Sequence, residues 1–267
     1  MDMKRFSLLI ILFSFLQGGL AQTNSMQPDT RKVTSPGFKV GEYLKFRIHY
    51  GIIDAGVATL EVKGTTTKNG RSTYHMIGKG KSVGMAEWFF KTRDTYQTYM
   101  DTEKLVPVEF IRDVNEGGYK INRHLTFDHE SNEVKDILKS STKTYPMKPF
   151  SQDLLSTFYY SRCLPTGSLT KGKMIPVDMF LDYDNFAFGY KFIGTAMLKT
   201  KWGKVRCQKF IPVVQSGRVF DDKESLTIWV TDDANRIPMR LEADLLVGSI
   251  KIDLVDYKNI ITPIKFY

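Results

Sequence analysis

From Gly37 onward the chain alternates apolar and polar residues with a period of two, the period of a strand with one buried face. In Tyr43-Leu44-Lys45-Phe46-Arg47-Ile48-His49-Tyr50, one face is Leu44, Phe46, Ile48 and Tyr50, and the other is Tyr43, Lys45, Arg47 and His49. Gly51 to Gly56 reads as a turn, from which Ala58, Leu60 and Val62 begin a return strand. Asn69-Gly70 is a strong hairpin signal, because both residues accept the positive φ of a tight two-residue turn. The alternation predicts strands near 71–80, 94–101, 105–115, 119–128 and 132–138, and again near 173–181, 186–199, 203–214, 225–231, 236–244 and 248–257.

Two segments break the period. Between Ser151 and Arg162, the residues Leu154, Leu155, Phe158 and Arg162 recur at helical spacing. Ser151 is the expected cap, with Asp153 in the first turn, where the helix dipole favours an anion. The other segment is Met85-Ala86-Glu87-Trp88-Phe89-Phe90, dense in large apolar groups. It reads as a short helix that either plugs one end of a barrel or forms a lid, with Gly78, Gly80 and Gly84 as its hinge. The pattern as a whole predicts an all-β, mainly antiparallel protein: a strongly curved sheet or open barrel with one main helix near 151–162.

A weak internal repeat accompanies the strands. Asp101 and Asp232 lie 131 positions apart, and so do Pro107 and Pro238, Asp113 and Asp244, Gly117 and Gly248, Lys120 and Lys251, Ile121 and Ile252, and Gly41 and Gly172. Two similar hairpins could produce this by coincidence. As a repeat, it makes residues 39–129 and 170–257 two equivalent β halves joined by the helical segment.

The start of the chain changes where this object is expected to work. Lys4 and Arg5 precede an apolar run from Phe6 to Leu16, and Gly19-Leu20-Ala21 supplies small residues for cleavage before Gln22. Residues 1–21 therefore read as a signal peptide, residues 22–36 as a flexible leader and residues 37–267 as one β-rich domain. The apolar run is too short to cross a ~30 Å hydrocarbon core, and no later stretch approaches one. No cysteine follows it, so there is no lipobox, and the expected location is periplasmic or secreted.

The formal charge of +9 is carried by scattered lysines and arginines rather than by blocks. Scattered lysine keeps sheet edges soluble, and an anionic partner such as a glycan or a membrane surface is compatible with it. Nucleic acid does not suit the extracytoplasmic address. Cys163 and Cys207 either form one disulfide, closing a loop of about 45 residues, or remain two buried thiols.

Candidate chemistry is sparse. His49, His75, His124 and His129 show no metal-ligand spacing, and each reads as a solvent-facing strand residue. Asp182-Tyr183-Asp184-Asn185 lacks the Gly and the distal Glu of a calcium loop and reads as a turn. No metal or other cofactor is called for. There is no Gly-x-Ser-x-Gly, and neither cysteine has a neighbouring histidine. Asp94, Asp101, Glu109, Asp113 and Asp232 lie in or beside strands, so a carbohydrate-active site needs two of them to face each other in a cleft. The motifs lean away from catalysis. Phe186, Phe188, Tyr190 and Phe192 alternate along one strand and put four rings on one face, which suits either ligand binding inside a curved sheet or plain core packing. With Trp88 and Phe89 they are the expected ligand-binding residues.

Three segments together resemble an exported envelope family, domain of unknown function 3108. They are Leu44 to Gly51 with Asp54 to Ala58, Asp153 to Arg162, and Leu226 to Asp233 with Arg236 to Glu242. The resemblance implies an envelope protein without an assigned activity and carries no catalytic residue over. A distant architectural analogy is to periplasmic lipoprotein carriers, whose open β half-barrel holds acyl chains against a helix. The resulting expectation is an exported protein that binds an apolar or glycolipid ligand without catalysis. The alternatives are an envelope assembly factor acting through protein contacts and a carbohydrate-active enzyme.

Overall fold

A computed structural model describes residues 36–138, 143–164, 169–214, 226–245 and 248–267. The signal peptide and nearly all of the leader expected over 1–21 and 22–36 lie outside the described residues. The strands are β1 (Tyr43–Tyr50), β2 (Ile53–Lys68), β3 (Arg71–Ser82), β4 (Thr92–Asp101), β5 (Pro107–Glu116), β6 (Tyr119–Asp128), β7 (Glu133–Asp136) and β8 (Thr144–Pro146), then β9 (Met174–Leu181), β10 (Asp184–Thr200), β11 (Gly203–Val214), β12 (Leu226–Thr231), β13 (Pro238–Asp244) and β14 (Ser249–Lys258). Helix α1 (Met85–Phe89) connects β3 to β4, and α2 (Leu154–Ser161) stands between β8 and β9. Among the described residues no helix is long and apolar enough to cross a membrane.

All 14 strands form one antiparallel sheet in the order β8-β7-β6-β5-β4-β3-β2-β1-β14-β13-β12-β11-β10-β9. Strands consecutive in sequence pair with each other, except that β8 and β9 stand at the two edges of the order and β14 returns to pair with β1. The chain therefore makes one circuit, and the two free edges, β8 and β9, meet at a seam. Residues 146–152 close it. Gln152 N–H donates to the Asp178 carbonyl at 2.9 Å, and Phe180 N–H donates to the Gln152 carbonyl at 2.8 Å. Asn185 accepts from Lys148 N–H at 2.8 Å and donates Nδ2 to the Pro146 carbonyl at 2.9 Å. These bonds cover an edge that would otherwise offer unpaired backbone groups to other chains.

The seam also corrects the helix start. Gln152 is held extended by β9, so Asp153, not Ser151, is the N-cap. Asp153 Oδ1 accepts from Leu155 N–H and Ser156 N–H at 2.8 Å each, and Ser156 Oγ accepts from Asp153 N–H, a capping box. The inner face of α2 packs on β3, β4 and β9. Gly78 of β3 permits this approach. A Cβ there would lie 3.2 Å from a Leu60 methyl and 3.5 Å from a Leu155 methyl.

The strands of β1–β6 and β9–β14 run in the same order, with 8, 16, 12, 10, 10 and 10 residues against 8, 17, 12, 6, 7 and 10. At the offset of 131 noted above, Gly41 and Gly172 have φ of 85° and 92°, Leu105 and Arg236 have 51° and 48°, and Gly117 and Gly248 have 56° and 73°.

The core packs inside the sheet against α2, from Leu44, Phe46 and Leu60 through Met76, Tyr96 and Phe110 to Phe127 and Phe180. Cys163 and Cys207 are both buried free thiols, so the disulfide alternative is not the one realised. His49 departs from the solvent-facing expectation: it is buried, with Nε2 3.0 Å from Asp253 Oδ2.

Candidate functional site

The interior is not completely filled. A cavity of about 200 Å³ lies between α2 and the concave face of the sheet. Leu154, Leu155 and Phe158 of α2 form one wall. The other walls are Phe46 and Ile48 of β1, Ala58 and Leu60 of β2, Ile175 and Met179 of β9, Phe188 and Tyr190 of β10, Phe210 of β11, Ile228 and Val230 of β12, Leu241 of β13 and Ile252 of β14. The cross-strand register explains the convergence. Ile48, Ile252, Leu241 and Ile228 are successive partners across four strands, so their side chains share one face at one level. Several of these apolar side chains are only half-buried because they face the void rather than each other.

The polar side chains of the lining are Thr59 of β2, Lys79 of β3, Thr157, Ser161 and Arg162 at α2, Gln208 of β11 and Arg236 of the β12–β13 turn. Tyr190 is buried deeply enough to push its phenol up to about 12, against the opposing pull of a hydrogen bond with Ser161. Gln208 donates Nε2 to Asp232 Oδ1 at 2.8 Å. Because an ionised carboxylate only accepts, that bond fixes the amide orientation, and Gln208 Oε1 is left without a partner beside the cavity. No Asp or Glu lines the cavity among the described residues.

The ring stripe expected on β10 divides. Phe188 and Tyr190 line the cavity. Phe192 packs on Phe210 at 5.5 Å, behind the wall, and Phe186 packs against Met179 and Leu181. Trp88 and Phe89 are not brought to the cavity. They are each 87% exposed, and α1 buries none of its residues, so it does not plug the barrel. Gly78 and Gly80 are not a hinge either; they pair with Leu60 and Ala58 inside the sheet. The α2 wall and the β11–β14 wall were not among the expected site residues. The helical spacing of Leu154, Leu155 and Phe158 signalled a buried face, but nothing local said that the face would border a void.

Two knots of buried polar groups flank the cavity. At one end Arg162 makes a bidentate pair with Glu42, Nη1 to Oε1 at 2.6 Å and Nη2 to Oε2 at 2.7 Å. Its Nε donates to the Asn235 carbonyl at 3.1 Å, and Arg236 Nη1 donates to the Arg162 carbonyl at 2.6 Å. Toward the other end Asp94 and Glu116 sit buried on adjacent strands, β4 and β5, with Arg112 nearby. Burial first, and then the Glu116 carboxylate, push the Asp94 carboxyl up to about 7, against a 3.2 Å bond from Asn115 N–H. Asp94 Oδ2 and Glu116 Oε1 are both buried without a hydrogen-bond partner, the setting in which two neighbouring carboxyls titrate as a pair.

A family model described as a protein of unknown function, DUF3108, matches residues 45–255. Among solved structures, the fold is similar to a β-barrel-like protein of domain of unknown function DUF1849 from Brucella abortus, at 12% identity and a TM-score of 0.53, covering 84% of this chain and 99% of that one. A candidate lipoprotein from Parabacteroides distasonis matches at 12% identity and a TM-score of 0.34, over 84% of this chain and 98% of that one. A candidate exported protein with a YmcC-like fold from Bacteroides fragilis matches at 9% identity and a TM-score of 0.32, over 84% of this chain and all of that one (100%). No curated protein matches the chain in sequence.

Proposed function

This chain belongs to the DUF3108 family of proteins of unknown function, so its cavity has to carry the functional reading, and we propose that it binds an apolar or glycolipid ligand without catalysis. The observation that carries this is the cavity of about 200 Å³, walled by aliphatic and aromatic side chains and free of acids among the described residues. The predominantly apolar lining favours an apolar occupant, because water gains few hydrogen bonds along such walls. Phe188 and Tyr190 are the aromatic contacts on the β10 side, and Leu155 and Phe158 are the apolar contacts of α2. Gln208 Oε1 offers one acceptor to a ligand hydroxyl or amide.

The setting proposed with it is the cell envelope, reached by export through the signal segment 1–21. The two β halves, 39–129 and 170–257, are read as a duplication in which both halves contribute to one cavity. Native mass spectrometry of the protein purified from its own envelope, followed by organic extraction, tests the reading. A co-purifying lipid or glycolipid is expected, and Leu241→Trp, which fills the void, is expected to abolish it. A ligand-free mass with no uptake from an envelope extract overturns the binding reading and moves the protein to an assembly factor.

A further inference from the structure

Large apolar side chains are exposed in greater number and extent at the end of the barrel where β1 finishes than at the other, where Tyr267, Val40 and Met197 are the exposed ones among the described residues. Four connections meet at the first end: the β1–β2 turn, α1, the β5–β6 turn and the β13–β14 turn. The register places them together. Tyr50 pairs with Ile250 at the start of β14, Val83 N–H donates to the Ala55 carbonyl, and Gly117 N–H donates to the Lys91 carbonyl. From these connections project Ile52 (94% exposed), Trp88 and Phe89 (87% each), Tyr119 (60%) and Met85 (58%), with Leu245 and Ile53 beside them. Single exposed apolar residues need no explanation, but a ring of them on neighbouring tips does.

Charged side chains surround the ring. Asp54 is paired with Arg47, and Glu87 with Arg93. Lys81, Lys91 and Lys120 are exposed and have no carboxylate within ion-pair reach among the described residues. Exposed acids at this end are Asp244, Asp113, Asp184 and Asp182, the last paired with Arg112. Aromatic and aliphatic tips interleaved with lysine are the composition of a surface that sits at a lipid headgroup boundary. The rings enter the acyl edge, and the ammonium groups stay with the phosphates. The tips are separate convex projections rather than one groove, which suits a deformable partner.

We propose that this end of the barrel, tipped by Ile52, Trp88, Phe89 and Tyr119 and flanked by Lys81, Lys91 and Lys120, docks on the surface of an anionic lipid bilayer. The occupant is the bilayer itself, chosen because its negative headgroups match the unpaired lysines and its acyl boundary matches the rings. The docking stands apart from the cavity reading, since a protein with a filled cavity is expected to dock equally well.

The test is partitioning of the purified protein onto large unilamellar vesicles, of phosphatidylethanolamine with phosphatidylglycerol and of phosphatidylcholine alone. Co-sedimentation gives the amount bound. The emission of Trp88, isolated as the difference from Trp88→Phe because Trp202 and Trp229 also emit, gives the depth. Binding to the anionic vesicles with a blue shift of Trp88 is expected. Lys81→Glu with Lys91→Glu and Lys120→Glu should weaken that binding about 100-fold or more. Trp88→Ser with Phe89→Ser should weaken it about tenfold or more without changing the melting temperature, because neither ring is packed. Protein left in the supernatant with Trp88 emission unmoved overturns the proposal. Binding that the serine variant retains in full also overturns it. So does a self-association or protein complex that the serine variant breaks while vesicles bind nothing, which would make the same tips a protein interface.

Discussion

The two ends of this barrel use polar and apolar residues in opposite ways. At the end where β1 begins, charged groups are buried and joined. Arg162 and Glu42, both almost wholly inaccessible, tie the entry of the chain, the end of α2 and the β12–β13 turn into one knot. The C-terminal tail closes the same end, where Asn235 and Thr262 exchange hydrogen bonds. At the end where β1 finishes, Trp88 and Phe89 are exposed, on a helix that buries none of its residues. Burying paired charge is favourable only with full hydrogen bonding, which the first end provides. Clustered exposed apolar side chains, by contrast, are the mark of a contact surface. Stability is concentrated at one end and contact chemistry at the other.

The largest break in that contrast is Arg162→Ala. It leaves the Glu42 carboxylate buried without its partner, and it should cost roughly 3–5 kcal/mol, read as a lowered urea midpoint with an unchanged slope. A cost under about 1 kcal/mol would mean that the knot adds little. The second break lies one layer beneath the apolar tips. The Asp94 carboxyl sits at about 7 in the fold against about 3.9 in an unfolded chain. The folded state therefore binds more protons between these values, and stability falls as pH rises from about 4 to 7. Asp94→Asn keeps the neutral form at all pH. It should match the natural chain near pH 4 and exceed its stability by roughly 1–3 kcal/mol at pH 8. The slope should shrink rather than vanish, because complete burial also pushes Asp153 up to about 7, in the same window and with the same sign. Unchanged slopes in the variant would place the proton elsewhere.

Asp153→Ala sharpens the comparison at the middle of the barrel. It removes two backbone acceptor contacts and the 2.9 Å bond from Thr98 Oγ1, and it should cost about 1–2 kcal/mol by thermal unfolding. The smallest effect is expected at the exposed end, where Trp88→Ser should move stability by less than about 0.5 kcal/mol. A larger loss would show that α1 supports the fold rather than a contact.

Much of this molecule was readable along the chain. Period-two alternation located the long strands to within a few residues, because a strand with one face on a core must alternate wherever it lies. β8, with three residues, was too short for a period to show. The helix was legible from Leu154, Leu155 and Phe158, but its first residue was not. Ser151 and Asp153 are both acceptable caps, and only the long-range bonds of Gln152 to β9 decided between them. The candidate site was half legible. Ring alternation on β10 singled out Phe188 and Tyr190, which line the cavity, together with Phe192, which the wall of Phe210 hides. Trp88 and Phe89 were conspicuous for their size, yet size does not tell a buried ring from an exposed one.

What the sequence alone determined was what local chemistry sets: the strand period, the turn at Asn69-Gly70 and the helical face of α2. The tertiary structure decided what depends on closing the circle. β14 returns to β1 across some 200 residues, so which side chains become walls follows from register around the whole barrel. The void exists because the inner faces of β10–β14 and α2 do not fill the space that closure encloses. A volume deficit of that kind belongs to no single segment, so no reading of segments one at a time contains it.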